Sequence, residues 1–234
     1  MSHHQLNPEP RTKVVISDST LHEFFVIPST LRRRIKYKGD IMHADYITIP
    51  GGDLDTLTNA FRLDYVARTH DRPLDVCVVA GYNDLVKGYT RDKIDHSFQK
   101  MVDMVKQAGP APLTNTVAIA TFMYPPQLAW LPDNDPLPYP DYRNNKSKID
   151  WLNEMINQRN RENGVPNYPG FHTYGIRTTT RRTTDLYGQH HHRVVKSHRW
   201  EHWRESDPTR MLHLRDDRRV KMGVAVNKYF VINT

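Results

Sequence analysis

The chain is poor in cysteine, in glycine and in long apolar runs. Cys77 is the single cysteine among 234 residues. No internal disulfide can form, which excludes a disulfide-stapled extracellular framework. Cys77 lies inside an apolar run and reads as a packed thiol. Such cysteine usage points to a reducing, intracellular compartment, and a cytoplasmic location is the expectation. No apolar run reaches the roughly 20 residues of a bilayer-spanning helix, and mean hydropathy is -0.71. The first residues are polar, with Pro8 and Pro10, and lack the apolar centre of a secretory signal. Residues 1–12 are expected to form a disordered leader and 13–234 a single domain. Acidic residues are outnumbered, 26 against 33 basic ones, for a net charge of +7 and a pI near 9.4. That balance favours polyanionic partners and carries no information about fold.

What is present is a chain of alternating elements. Val14-Val15-Ile16 leads into Ser17-Asp18-Ser19-Thr20 and a helical start, so a buried strand, about Lys13–Ser17, runs into a turn and a helix. Ala44–Ile49 alternates and ends at Pro50-Gly51-Gly52, a turn signal. Asp53 is placed to cap a helix carrying Leu54, Leu57 and Phe61. Leu74–Ala80 is almost continuously apolar, as a central parallel strand buried on both faces would be. Ile94, Phe98, Met101, Val102 and Val105 mark an amphipathic helix, and 116–122 reads as strand four. Six prolines then crowd the loop 123–146, which suits an ordered lid or a packed Ω-loop. A helix through Ile149, Leu152, Met155 and Ile156 precedes a fifth strand, Phe171–Thr178. Residues 179–206 are polar, rich in Arg and His, and show no regular pattern. Val220 to Phe230 reads as a closing helix. The alternation predicts an α/β fold with a parallel five-stranded sheet between helical layers. Ligands in such sheets bind beyond the carboxyl ends of the strands.

Ser19, Gly51-Gly52 and Asn83 all fall at those ends. An acyl-transfer site needs a nucleophile, a base and donors around the developing oxyanion. Ser19 on a strand-to-helix turn can be the nucleophile. An amide of Gly51 or Gly52 and the side chain of Asn83 can be donors. His213, ahead of the last helix, can be the base. The alternative for Ser19 is an ordinary helix cap.

This ordered set resembles the SGNH hydrolases, the GDSL esterase and lipase superfamily. Ser17-Asp18-Ser19 is similar to the family's Gly-Asp-Ser block, with Ser in place of the leading Gly. Gly51-Gly52 corresponds to the second block, and Gly81-Tyr82-Asn83-Asp84 matches the third, Gly-x-Asn-Asp. His213 matches the His of the last block, Asp-x-x-His, but Arg210 stands where that block has Asp. The resemblance implies a flavodoxin-like three-layer α/β/α sandwich. It implies Ser19 as nucleophile, His213 as general base, and an oxyanion hole from Ser19, a second-block glycine and Asn83. Asp84 would tie down its loop. Asp207, Glu205 or a backbone carbonyl would have to orient His213 in place of the missing Asp. A small carboxylic ester is the substrate class implied, with no cofactor.

A second reading rests on Arg177, Arg181, Arg182, Arg193, Lys196 and Arg199, interleaved with Tyr187, Trp200 and Trp203. Cations can meet phosphates and aromatics can stack on bases, so this segment can serve RNA or single-stranded DNA in a domain that has lost catalysis. The run His190-His191-His192 with His198 and His202 completes no recognised metal-ligand spacing and is read as an exposed loop, with no metal assigned.

Overall fold

The structure is a computed structural model of the chain, and it describes residues 11–18, 20–21, 44–66, 72–108, 115–123, 142–172, 176–198 and 216–232. Four strands form a parallel sheet: β1 (Thr12–Ser17), β2 (Asp45–Thr48), β3 (Leu74–Val79) and β4 (Thr116–Ile119). Their order is β2-β1-β3-β4. The helices are α1 (Leu54–Phe61), continued by a π-helical turn to Val66, α2 (Tyr82–Val86), α3 (Arg91–Gln107), α4 (Tyr142–Glu162) and α5 (Asp216–Ile232). Among the described residues no helix is long and apolar enough to cross a membrane.

The β-branched residues of β1 and β3 explain why these segments are central strands. All six positions of β3 are buried, as its continuous apolar run predicts. Successive residues feed opposite faces of the sheet. Val14, Ile16, Val76, Val78, Val117 and Ile119 pack with Leu57 and Phe61 of α1, Phe98 and Met101 of α3, and Leu152 and Ile156 of α4. Val15, Cys77, Val79, Ala118 and Ala120 pack on the other side with Leu21, Phe171 and Met222, Val226 and Phe230 of α5. This is a three-layer α/β/α sandwich.

The amino end of the sheet is held by a buried polar cluster. Arg11 Nε pairs with Asp75 at 2.6 Å, and Thr116 Oγ1 donates to the same carboxylate oxygen at 2.7 Å. The Tyr229 hydroxyl lies 3.2 Å from Thr116 Oγ1, joining α5 to the sheet. Arg11 and Thr12 are thus part of the ordered structure, and β1 begins one residue before the expected start.

Two expectations are corrected. Among the described residues the parallel sheet has four strands, not five, and the described part of the expected strand Phe171–Thr178 does not add to it. A single parallel bridge, Thr121 to Gly170, stands in its place. The outer edge of β4 is satisfied by side chains instead. Asn160 of α4 accepts from Ile119 N–H at 2.8 Å and donates to Ile119 O at 2.7 Å. Asn153, two turns earlier, does the same for Phe122 at 2.6 and 3.0 Å. Edge amides that a fifth strand would pair are therefore paired by a helix.

The second correction concerns 179–206, expected to be irregular. Ile176–Thr184 (β5) and His190–His198 (β6) form an antiparallel hairpin in a separate sheet. Its β-branched Thr and Val residues favour strand. The apolar alternation that normally reveals a strand is missing because the hairpin carries Arg and His at positions of both parities. The Pro-rich loop lies outside the described residues except at Met123 and Tyr142 to Lys146.

Candidate active site

β1, β2 and β3 end level with one another: Ser17 is in register with Thr48 on one side and with Val79 on the other. The loops that leave these ends are therefore neighbours. β1 and β3 also flank the point where the strand order reverses, the usual ligand crevice of such sheets.

In the first loop the Ser17 hydroxyl is fully buried and lies within 3.1 Å of Asp18 O and 3.2 Å of Val79 O. It also accepts the Leu21 N–H at 3.3 Å. Its hydrogen-bonding capacity is committed to backbone, so Ser17 is a structural serine. Asp18, 1% exposed, accepts the Thr20 N–H at 2.8 Å. Thr20 and Leu21 are helical, so the strand does pass into a helix as expected. Ser19, between Asp18 and Thr20 in sequence, lies outside the described residues.

The second loop is a tight turn. Pro50 precedes Gly51 at φ +71, and Gly52 N–H closes the turn on Ile49 O at 3.0 Å. Pro followed by a residue of positive φ is the type II pattern, and Gly is favoured at that second position. Gly52 is needed for space, since a Cβ there would sit 3.0 Å from Ile49 O. Asp53 then caps α1, accepting Thr56 N–H at 2.9 Å.

The third loop brings the others together. Gly81 has φ +124, and a Cβ on it would lie 2.9 Å from the ring of Phe98. Asn83 follows on α2. Its Nδ2 donates to Gly52 O at 2.9 Å and reaches Asp18 Oδ2 at 3.4 Å. One amide thus spans all three loops. Asp84, 1% exposed, accepts the Leu54 N–H at 3.1 Å and ties the third loop to the start of α1. Burial pushes its carboxyl up to about 6; the Leu54 bond opposes the shift and the neighbouring charge of Asp53 adds to it. For Asp53 burial acts in the same direction, but hydrogen bonds from Lys87, Thr56 and Tyr89 outweigh it and hold the carboxyl well below the usual range. The Lys87 bond is 2.7 Å and the Tyr89 bond 3.1 Å.

Of the residues expected to form the site, Gly51, Gly52 and Asn83 are brought together at the strand ends. Ser19, Asp207 and His213 lie outside the described residues, as do Glu205 and Arg210. Sequence reading passed over Asp18 as a partner of Asn83. The available signal was an Asp two residues before a helical Thr, a common local cap. It also passed over Lys87 and Tyr89, whose partner Asp53 is more than 30 residues away. Among the basic residues, Arg177, Arg181 and Arg182 are on β5, and Arg193 and Lys196 on β6. Arg199, Trp200, His202 and Trp203 lie outside the described residues. His190, His191 and His192 are exposed, and among the described residues no group of three His, Cys, Asp or Glu could hold a metal. Burial pushes the Cys77 thiol far up, leaving it a packing residue rather than a nucleophile.

No family model matches the chain, and no curated protein matches it. Solved structures do. A lipolytic protein of the G-D-S-L family from Veillonella parvula is 11% identical, with a TM-score of 0.57 over 95% of this chain and 99% of that one. A GDSL-like lipase from Bacteroides thetaiotaomicron is 13% identical, with a TM-score of 0.55 over 95% and 88%. The psychrotrophic esterase EstA from Pseudoalteromonas, in a structure inhibited by monoethylphosphonate, is 14% identical, with a TM-score of 0.53 over 96% and 100%. The chain has the fold of the SGNH, or GDSL, hydrolases.

Proposed function

We propose that the chain is a serine acyl hydrolase acting on small carboxylic esters. The observation that carries this reading is the position of Asn83, whose amide is anchored by Gly52 O beside the loop that leads into Ser19. A fold alone does not select an activity; a preorganised amide donor at the strand ends is a feature that acyl-transfer chemistry needs. In the proposed reaction His213 accepts the Ser19 proton as Ser19 Oγ attacks the ester carbonyl carbon. Asn83 donates to the oxyanion. The carbon–oxygen bond to the alcohol breaks, and the alcohol leaves with the proton from His213. Water, deprotonated by His213, then attacks the acyl carbon; the bond to Ser19 Oγ breaks, His213 returns the proton to that oxygen, and the acid is released. Gly52 spends its N–H on its own turn, so in this scheme it orients Asn83 through its carbonyl, while Gly51 supports the turn. Asp207 orients the imidazole of His213, the task left open by Arg210.

The experiment is hydrolysis of short-chain aryl esters by the wild-type chain and by Ser19→Ala, together with labelling by a fluorophosphonate probe. Turnover and labelling that both vanish in Ser19→Ala support the reading. Equal activity of the two proteins, or no activity and no label in either, rejects it.

A further inference from the structure

The end of the β5–β6 hairpin holds two large side chains, Leu186 and Tyr187, in solvent on a hydrogen-bonded turn. Asp185 N–H donates to Gln189 O at 2.9 Å, and Gly188 N–H donates to Asp185 O at 3.1 Å. The Asp185 carboxylate accepts the N–H groups of Tyr187 at 2.9 Å and Gln189 at 2.8 Å. Its other oxygen meets His191 Nε2 at 2.9 Å. Gly188, at φ +78, lets the chain reverse. Leu186 and Tyr187 stand between these anchors, 101% and 90% exposed. A side chain on so ordered a turn is preorganised, and binding loses little entropy in fixing it.

Behind the tip the rungs become basic. Thr184 pairs with His190, Thr183 with His191, Arg182 with His192 and Arg181 with Arg193. From Ile176 to His198 there are five Arg and Lys, namely Arg177, Arg181, Arg182, Arg193 and Lys196, against the single acid Asp185. Arg181 and Arg193 share one rung, a local excess of positive charge that suits an anionic surface. At about 3.4 Å per residue, Arg182 and Arg181 stand at most roughly 14 and 17 Å behind Leu186. Interfacial elements enter a bilayer by about 5–10 Å, so a tip at that depth leaves both rungs outside the apolar layer.

We propose that the β5–β6 hairpin docks the protein on an anionic lipid surface. Leu186 and Tyr187 enter the interface, and the basic rungs behind them meet lipid phosphates. A nucleic-acid strand would engage the same cations but offers Leu186 no apolar layer, which is why the tip decides for lipid. The proposal concerns binding alone and stands apart from the chemistry assigned to Ser19.

The test is flotation of the full-length chain with vesicles of phosphatidylcholine, with or without phosphatidylglycerol. Binding is expected only to the mixed vesicles and is lost as salt rises well above about 0.1 M. Each basic residue near such a surface is worth about fivefold in affinity, so Arg181→Glu with Arg182→Glu weakens binding more than about tenfold. Leu186→Ser with Tyr187→Ser also weakens it severalfold while the melting temperature stays put, because both side chains are exposed. Three results overturn the proposal. One is failure to bind the anionic vesicles, whether or not single-stranded RNA binds. Another is vesicle binding indifferent to the Leu186 and Tyr187 changes. The third is a dimer in sedimentation without lipid that those changes abolish, since a second copy would then be the occupant.

Discussion

The side-chain amide of Asn83 donates to the backbone carbonyl of Gly52 across 2.9 Å, joining residues 31 positions apart in the chain. One hydrogen of that amide is held by Gly52 O and the other reaches Asp18 Oδ2 at 3.4 Å, the longer and weaker bond, which an oxyanion would have to displace. Asn83→Ala is therefore expected to lower kcat on aryl esters by about 10²–10³-fold, the usual cost of one oxyanion donor. Its stability should fall by about 1–3 kcal/mol, the net worth of its two hydrogen bonds. Steady-state kinetics and a thermal melt check the two halves. A variant that keeps full kcat would remove Asn83 from the reaction.

The two glycines of the second loop should separate. Gly51→Ala forces a side chain into positive φ but meets open space. It should cost about 1–2 kcal/mol of stability and leave kcat nearly intact. Gly52→Ala places a methyl against Ile49 O, moves the carbonyl that holds Asn83, and should cut kcat as strongly as Asn83→Ala. Comparing kcat with melting temperature in the two variants tests this.

Asp84 makes stability depend on pH in a window set by its raised carboxyl. Between about pH 4 and pH 6 the folded chain keeps a proton that the unfolded chain has lost. The contribution of Asp84 to stability therefore falls as pH rises through that window, by about 3 kcal/mol, and is flat above it. The lowered carboxyl of Asp53 acts in the opposite sense: its stabilisation is present above about pH 4 and fades as pH falls below that value. Asp84→Asn retains an acceptor for Leu54 N–H and has no proton to lose. Urea melts from pH 4.5 to 8 should show the wild-type decline and its absence in Asp84→Asn. A decline that persists in the variant would assign it to another group.

Asn160 replaces a strand. Asn160→Leu leaves the buried N–H and C=O of Ile119 unpaired, at about 1–3 kcal/mol each. The variant should melt lower, and the Ile119 amide should exchange with solvent faster than amides of β3. Unchanged protection at Ile119 would show that its edge is covered by something else.

Local chemistry alone specified much of this fold. The β-branched runs of β1 and β3, the Asp53 cap, the Pro50-Gly51 turn and the apolar stripes of α1 and α3 were legible because each depends on residues within a few positions. The match of Gly81-Tyr82-Asn83-Asp84 to a known block pointed to Asn83 for the same reason. The number of strands was not legible, because the partners of the β4 edge are asparagine side chains 31 and 41 positions away. Nor was the hairpin, whose strands carry no apolar alternation to read. Which part of each glycine is used, and that Asp18, Gly52 and Asn83 share one amide, depended on three strands ending in register. Hydrogen-bond partners and register across a sheet are non-local, so only the tertiary structure could decide them.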